Sequence, residues 1–446
     1  MIKNIPTNDP NRQLHDLVSG IAHYLIKNCG ISVTDPNLYA LISHWLENGS
    51  LDISNYCTST PEDFHRALIS TEARLELTAT QLLKKIPFQP ISNPDFTFID
   101  LFAGIGGFRQ AFQELGGKCL FSSEWEKSAQ QTYFRNYGVA PFGDINHFTG
   151  KDSVNGEDRT DEDIDRLIPD HDILAAGFPC QPFSKAGVSA RGSLGKAHGF
   201  ECETQGTLFH SVARVAKVKQ PKFLFLENVR NIVGHDEGRT FETIKRTIDE
   251  IGYKFHYALI DSSSVVPQRR LRCYMICVRN DIAEQFDRFE FPEFEGEPLP
   301  LSSIIEKNPD PIYTISDKLW EGHKRRTATN LERGAGFTAF ASNLDRPSNT
   351  IVSRYYKDGK ECLIPQKGKN PRLLTVDECV KLFGYNRSET TPFLHALSRT
   401  AAYRQFGNSV VIPVIHKIAS EAVNQYMHAR SATKKKTKTS VKKRAA

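Results

Sequence analysis

Apolar residues recur at helical spacing from the start of the chain, at Leu14, Leu17, Ile21, Leu25 and Ile26. A second amphipathic stretch covers 36–47 and stops at Asn48-Gly49. A third covers 61–69, with Thr60 placed to cap it, and a fourth covers 72–85. The pattern predicts a small helical bundle over residues 1–94, closed by a linker containing Pro87, Pro90 and Pro94.

At Phe96 the grammar changes. Short runs rich in β-branched and aromatic residues occupy 96–102, 118–123, 172–176, 222–226, 253–260 and 273–278, and 142–145 could end a further strand. Helical stretches fall between them at 108–115, 207–219 and 240–251. This alternation predicts an α/β domain over 95–280 built on a mostly parallel sheet. Residues 146–170 are polar and acidic and read as a surface excursion, and 184–206 reads as a mobile lid. From 281 to 397 the alternation is lost and the chain becomes rich in Pro, Asn and Arg, with short strands. Residues 398–428 read as a return to the first domain, and 429–446 as a disordered basic tail.

Composition describes an ordinary globular protein: 446 residues, 39% hydrophobic and 24% charged. No run approaches the length of a membrane helix, and the N-terminus lacks a signal-peptide core, so a cytoplasmic protein is expected. Nine cysteines without paired or zinc-type spacing are expected to be reduced thiols, with no metal bound. The net charge is +5; seven Lys or Arg lie between Lys434 and Arg444, and basic groups also cluster at 269–270 and 324–326. They hint at a phosphate-rich partner.

Candidate chemistry gathers at the ends of the strands. Gly104, Gly106 and Gly107 follow the first strand, a strand–turn–helix arrangement that lets backbone approach a nucleotide-like ligand. Glu124 and Trp125 end the second strand, where an acid suits ribose hydroxyls and an indole suits an adenine face; a surface acid beside a packed Trp fits the same residues. Asp144 could accept a bond from an adenine amine. Cys180 stands past the 172–176 strand between Pro179 and Gln181-Pro182, as a thiol that becomes a nucleophile if its surroundings favour the thiolate. Glu227 ends another strand, and Arg270 and Arg272 precede the last one.

These residues resemble the motifs of the bacterial DNA cytosine-5 methyltransferase family, in its Dcm-like branch. Asp100-Leu101-Phe102-Ala103-Gly104-Ile105-Gly106-Gly107, Pro179-Cys180-Gln181, Glu227-Asn228-Val229, Gln268-Arg269-Arg270-Leu271-Arg272, the stretch from Arg372 to Tyr385, and Gly407-Asn408-Ser409-Val410 occur in the family's order, six motifs in all. The usual Arg-Glu pair of the ninth motif is Asp377-Glu378 here. The resemblance implies a Rossmann-like S-adenosylmethionine-dependent domain, a smaller target-recognition domain over 281–397 and a helical N-terminal extension. It implies an S-adenosylmethionine site lined by Phe102, Glu124, Trp125, Asp144, Pro179 and Asn408 around the glycine turn. Cys180 is then the nucleophile toward cytosine C6, Glu227 holds N3 and the exocyclic amine, and Arg270 and Arg272 hold the base oxygen. Arg191, Lys196, Arg325, Arg326, Arg354 and Lys357 are expected to contact double-stranded DNA at a CCWGG or CCNGG type of site. The expected partner is duplex DNA and not a membrane, met by a monomer, with a cognate restriction endonuclease as a companion. Two other readings are an RNA (tRNA) cytosine-5 methyltransferase and an added transcription-regulator role for the N-terminal bundle.

Overall fold

The computed structural model describes residues 9–32, 37–49, 52–150, 158–179, 208–284, 289–334, 339–385 and 392–425. Its centre is a six-stranded sheet of β1 (Phe96–Leu101), β2 (Gly117–Ser123), β3 (Ile173–Ala176), β4 (Phe223–Val229), β5 (Tyr253–Ile260) and β6 (Arg272–Arg279). The order is β2-β1-β3-β4-β6-β5. β1 to β4 run parallel, and β6 runs antiparallel to both β4 and β5. Because β1 has β2 on one side and β3 on the other, the connections diverge there and leave a crevice at the carboxyl ends of the strands.

Side chains alternate across the strands, so each strand feeds two apolar clusters. Ile99, Leu101, Leu174 and Leu224 join the helices Leu208–Lys219 and Arg239–Glu250 on one face, together with the N-terminal helices. Phe96, Phe98, Ile173 and Phe225 join the helix Gly107–Glu114, residues drawn from 289–385, and a C-terminal helix over 412–425 on the other. The α/β expectation holds, with the Rossmann-like arrangement of the sheet.

Element ends differ from the sequence reading in places that have local causes. The third helix runs Pro61–Leu75 and a separate short one covers Ala79–Leu83. Glu76 turns left-handed between them, and Thr78 and Gln81 form a capping box that starts a new helix. Residues 146–170 are not a plain surface excursion: the helices Asn146–Thr149 and Asp161–Leu167 bury Phe148, Ile164 and Leu167. The 142–145 stretch joins the sheet only by one bridge, Ser123 to Phe142. The 281–397 stretch holds a two-stranded ladder, β7 (Ile364–Gln366) with β8 (Lys369–Arg372), and an unforeseen helix, Asp317–Glu332. Among the described residues no helix is long and apolar enough to cross a membrane, and the seven cysteines there are free thiols.

Candidate active site

The loop after β1 is built on positive backbone angles: Phe102 at φ 58°, Gly104 at 55° and Gly106 at 87°. For Phe102 this is a sparsely populated conformation, which ends the strand one residue earlier than the reading and marks a constrained loop. The three glycines do different things. A Cβ on Gly106 would stand 2.2 Å from Tyr137 Cε2, and one on Gly107 would stand 2.6 Å from Val410 Cγ2. A Cβ on Gly104 would meet nothing within 4 Å. The Cβ direction at Gly104 thus faces open space, while Gly106 and Gly107 admit close internal packing.

Glu124 is buried, and its carboxylate accepts from the Gly104 and Glu126 N–H groups, each at 2.8 Å. Trp125 beside it is 75% exposed, an uncovered indole next to a buried acid. Asp144 is half-buried and accepts from Asn146 N–H at 3.0 Å. Asn408 is exposed at the end of the helix Arg399–Asn408. Exposed Pro179 is the last described residue before a gap that contains Cys180, Arg191 and Lys196, so those three candidates and the lid reading lie outside the described residues.

Just before that gap the chain is tied to β4. Asn228 Nδ2 donates to Phe178 O at 2.9 Å. A Cβ on Gly177 would stand 3.4 Å from Phe108 Cε2 and 3.7 Å from Glu227 Oε2. The turn that leads to Cys180 thus passes directly beside the Glu227 carboxyl and the helix of the glycine loop. Glu227 lies inside β4 rather than at its end, because pairing with β6 continues to Val229 opposite Arg272. Its carboxylate meets Arg272 Nε at 3.2 Å, both side chains largely buried. Burial raises the Glu227 pKa above the ordinary glutamate value, and Arg272 and Arg270 oppose the rise.

Arg270 stands differently from its neighbour. It is buried, and its guanidinium donates to Ile351 O at 3.1 Å, Gly407 O at 3.1 Å and Ser409 O at 2.6 Å. Burial, with the like charge of Arg272, lowers its pKa. Its terminal nitrogens bind backbone carbonyls, which joins β6 to the 351 and 407–409 segments, while its Nε has no hydrogen-bond partner among the described residues.

The remaining basic candidates sit together. Arg325 and Arg326 are exposed on Asp317–Glu332. Arg326 bonds buried His323 Nδ1 at 3.0 Å, and His323 Nε2 donates to Asp358 O at 2.9 Å. That ties the helix to the Tyr355–Asp358 turn, on which Arg354 and Lys357 are exposed.

Sequence reasoning missed several positioning residues. Gln268 Oε1 accepts from Ile351 N–H at 3.0 Å. Arg372 and Glu378 form a fully buried bidentate pair at 2.6 and 2.7 Å. The Thr375-x-x-Glu378 spacing of a capping box was a visible signal for Glu378, which also receives Thr375 N–H. Nothing in the sequence marked Glu47 as the partner of Arg109.

A doubly connected sheet with a glycine loop after its first strand, and a proline turn running beside a buried glutamate–arginine pair, defines the methyltransferase class. The chain belongs to the C-5 cytosine-specific DNA methylase family, whose model matches residues 96–424. It is 42% identical over 341 residues to Type II methyltransferase M.SsoII of Shigella sonnei, covering 76% of this chain and 83% of that protein. It is 38% identical over 374 residues to the DNA-cytosine methyltransferase of Escherichia coli K12, covering 75% and 79%. A crystal structure of a Spodoptera frugiperda DNMT2 mutant shares the fold at a TM-score of 0.55 and 20% identity, over 73% of this chain and 98% of that one. The protein is a DNA (cytosine-5-)-methyltransferase.

Proposed function

We propose that the chain transfers a methyl group from S-adenosylmethionine to C5 of a cytosine flipped out of a short duplex site, of CCWGG or CCNGG type, through a covalent bond between Cys180 and C6. The observation that carries this reading is the passage of Gly177 and Phe178 beside the buried Glu227 carboxyl, because Cys180 follows only two residues after Phe178 in the sequence. Open backbone at Gly104, the exposed Trp125 ring and buried Glu124 suit a nucleoside such as that of S-adenosylmethionine. Phe102, Asp144, Pro179 and Asn408 complete its lining. When bound, S-adenosylmethionine supplies a methyl group on a positively charged sulfur, which C5 takes.

Cytosine C5 is too poor a nucleophile to do so unaided. The Cys180 thiolate adds to C6, and Glu227 gives its proton to N3, so that C5 acquires enamine character. The raised Glu227 pKa favours a carboxyl that still holds this proton. Arg272, which pairs with Glu227, holds the base oxygen in this reading. A base then removes the C5 proton, the Cys180–C6 bond breaks, and N3 returns its proton to Glu227. Flipping is required because the target carbon is inaccessible inside the stack. Exposed Arg325, Arg326, Arg354 and Lys357 form the DNA-reading surface, with Arg191 and Lys196 meeting the backbone.

Bisulfite sequencing of plasmid from a methylation-free host expressing the chain tests this. Protected cytosines confined to one short motif are expected, with none when Cys180→Ser is expressed. Protection that survives Cys180→Ser, or none from the folded wild-type protein, would overturn it.

A further inference from the structure

The family match begins at residue 96, yet the site depends on residues before it. Arg109 lies on Gly107–Glu114, the helix that opens directly from the glycine loop, and is 1% exposed. Its charge is met by Glu47 of the helix Leu38–Asn48, and both side chains are 1% exposed. Arg109 also donates to Gln113 Oε1 at 3.0 Å and lies over the Tyr137 ring at 4.9 Å. Tyr137 in turn donates its hydroxyl to Gly106 O at 2.8 Å. A buried chain of contacts therefore runs from Glu47 through Arg109 and Tyr137 to the backbone of the glycine loop.

The same N-terminal helix holds a second wall. Ser43 Oγ accepts from Ala140 N–H at 3.0 Å, and the His44 ring stacks on Phe142 at 4.6 Å. Tyr56 stacks on the Phe142 ring, at 5.5 Å and 13°. Phe142 is hydrogen-bonded on both sides of β2's end: its N–H donates to Ser122 O and its carbonyl accepts from Glu124 N–H, each at 2.8 Å. The 140–143 segment, which leads to Asp144, is thus fixed against Glu124 by groups from 43–56. The apolar face of this helix, with Leu41, Ile42 and Trp45, is buried.

We propose that the described residues of 37–49 and 52–57 are a positioning layer for the S-adenosylmethionine pocket, with Glu47 and Ser43 as positioning residues that set the glycine loop and the Phe142–Asp144 wall. The inference rests on the cofactor site of the proposed function, which lies on the far side of both contacts. Removing the Glu47 charge leaves a buried guanidinium uncompensated, and removing the Ser43 hydroxyl leaves a buried N–H without an acceptor. Either loosens one wall while leaving the recognition region, on the opposite face of the sheet, alone.

The test is isothermal titration calorimetry of the full chain with S-adenosylmethionine in the absence of DNA, well below the melting temperature of each variant. Wild type, Glu47→Gln and the milder Ser43→Ala are compared, and each is also titrated with a duplex carrying the methylated site. Both variants are expected to bind S-adenosylmethionine about tenfold more weakly or worse, with duplex affinity unchanged. Steady-state kinetics should repeat the split, with KM raised for S-adenosylmethionine and not for DNA. Wild-type cofactor affinity in both variants overturns the inference, and so does parallel loss of cofactor and DNA binding, which would mark general destabilisation. Failure of the wild type to bind S-adenosylmethionine would overturn the cofactor reading itself.

Discussion

Asp100 is the penultimate residue of β1, fully buried, with no hydrogen-bond partner on either carboxyl oxygen among the described residues. Burial pushes its pKa from 3.8 up to about 8, with Arg109 opposing and Glu124 reinforcing the rise. The folded state therefore keeps a proton that the unfolded chain has already released. Stability from this group is complete below the unfolded pKa and is lost as pH rises toward the folded one. Denaturant titrations of the cofactor-free protein should show Asp100→Asn gaining on the wild type steadily between about pH 5 and 8, and parallel profiles would contradict this. Glu227 is another carboxyl that burial raises, here with Arg272 as a counter-charge. Both acids were visible in the sequence, Asp100 within the first motif and Glu227 as a strand-end residue. Their protonation was not, because it depends on the layers that cover the sheet.

At the scale of elements, the Gln268 to Arg272 stretch works as a joint. Gln268 and Arg270 bind the 351 segment, and Arg270 also binds the carbonyls at 407 and 409. Two residues on, Arg272 meets Glu227. Lysine cannot span three carbonyls with one compact ammonium group. Arg270→Lys should lower stability by roughly 2–4 kcal/mol in urea unfolding; wild-type stability would show that the joint carries little. The strands themselves were legible: the 253–260 reading coincides with β5, and β1, β2, β4 and β6 differ from theirs by a few residues at most. Their apolar runs are bounded by Gly, Pro and charge, so the period speaks clearly. The break at Glu76 was not legible from period, since Leu75, Ala79 and Leu82 keep helical spacing across it; the Thr78–Gln81 box was the available signal. The helix Asp317–Glu332 escaped because only His323 on it is buried, which leaves no apolar stripe to read.

At the scale of the whole molecule, the N-terminal helices read as a bundle but lie against one face of the sheet, with Leu14, Leu41 and Ile42 in the same cluster as Ile99, Phe121 and Phe142. Amphipathic spacing shows that a helix buries a face and says nothing about which surface receives it. The motifs were readable because each is a local cluster of chemically demanding residues at a strand end. Their convergence was not, since the bonds that bring 178 to 228 and 270 to 409 join residues 50 and 139 apart in sequence. The most direct test of the covalent step uses a duplex containing the methylated motif with 5-fluorocytosine at the target position, incubated with protein and S-adenosylmethionine. Fluorine cannot leave C5 as a proton does, so the Cys180–C6 bond should persist as a denaturation-resistant protein–DNA band that Cys180→Ala abolishes. A wild-type protein that methylates the ordinary site but forms no such band would contradict Cys180 as the nucleophile.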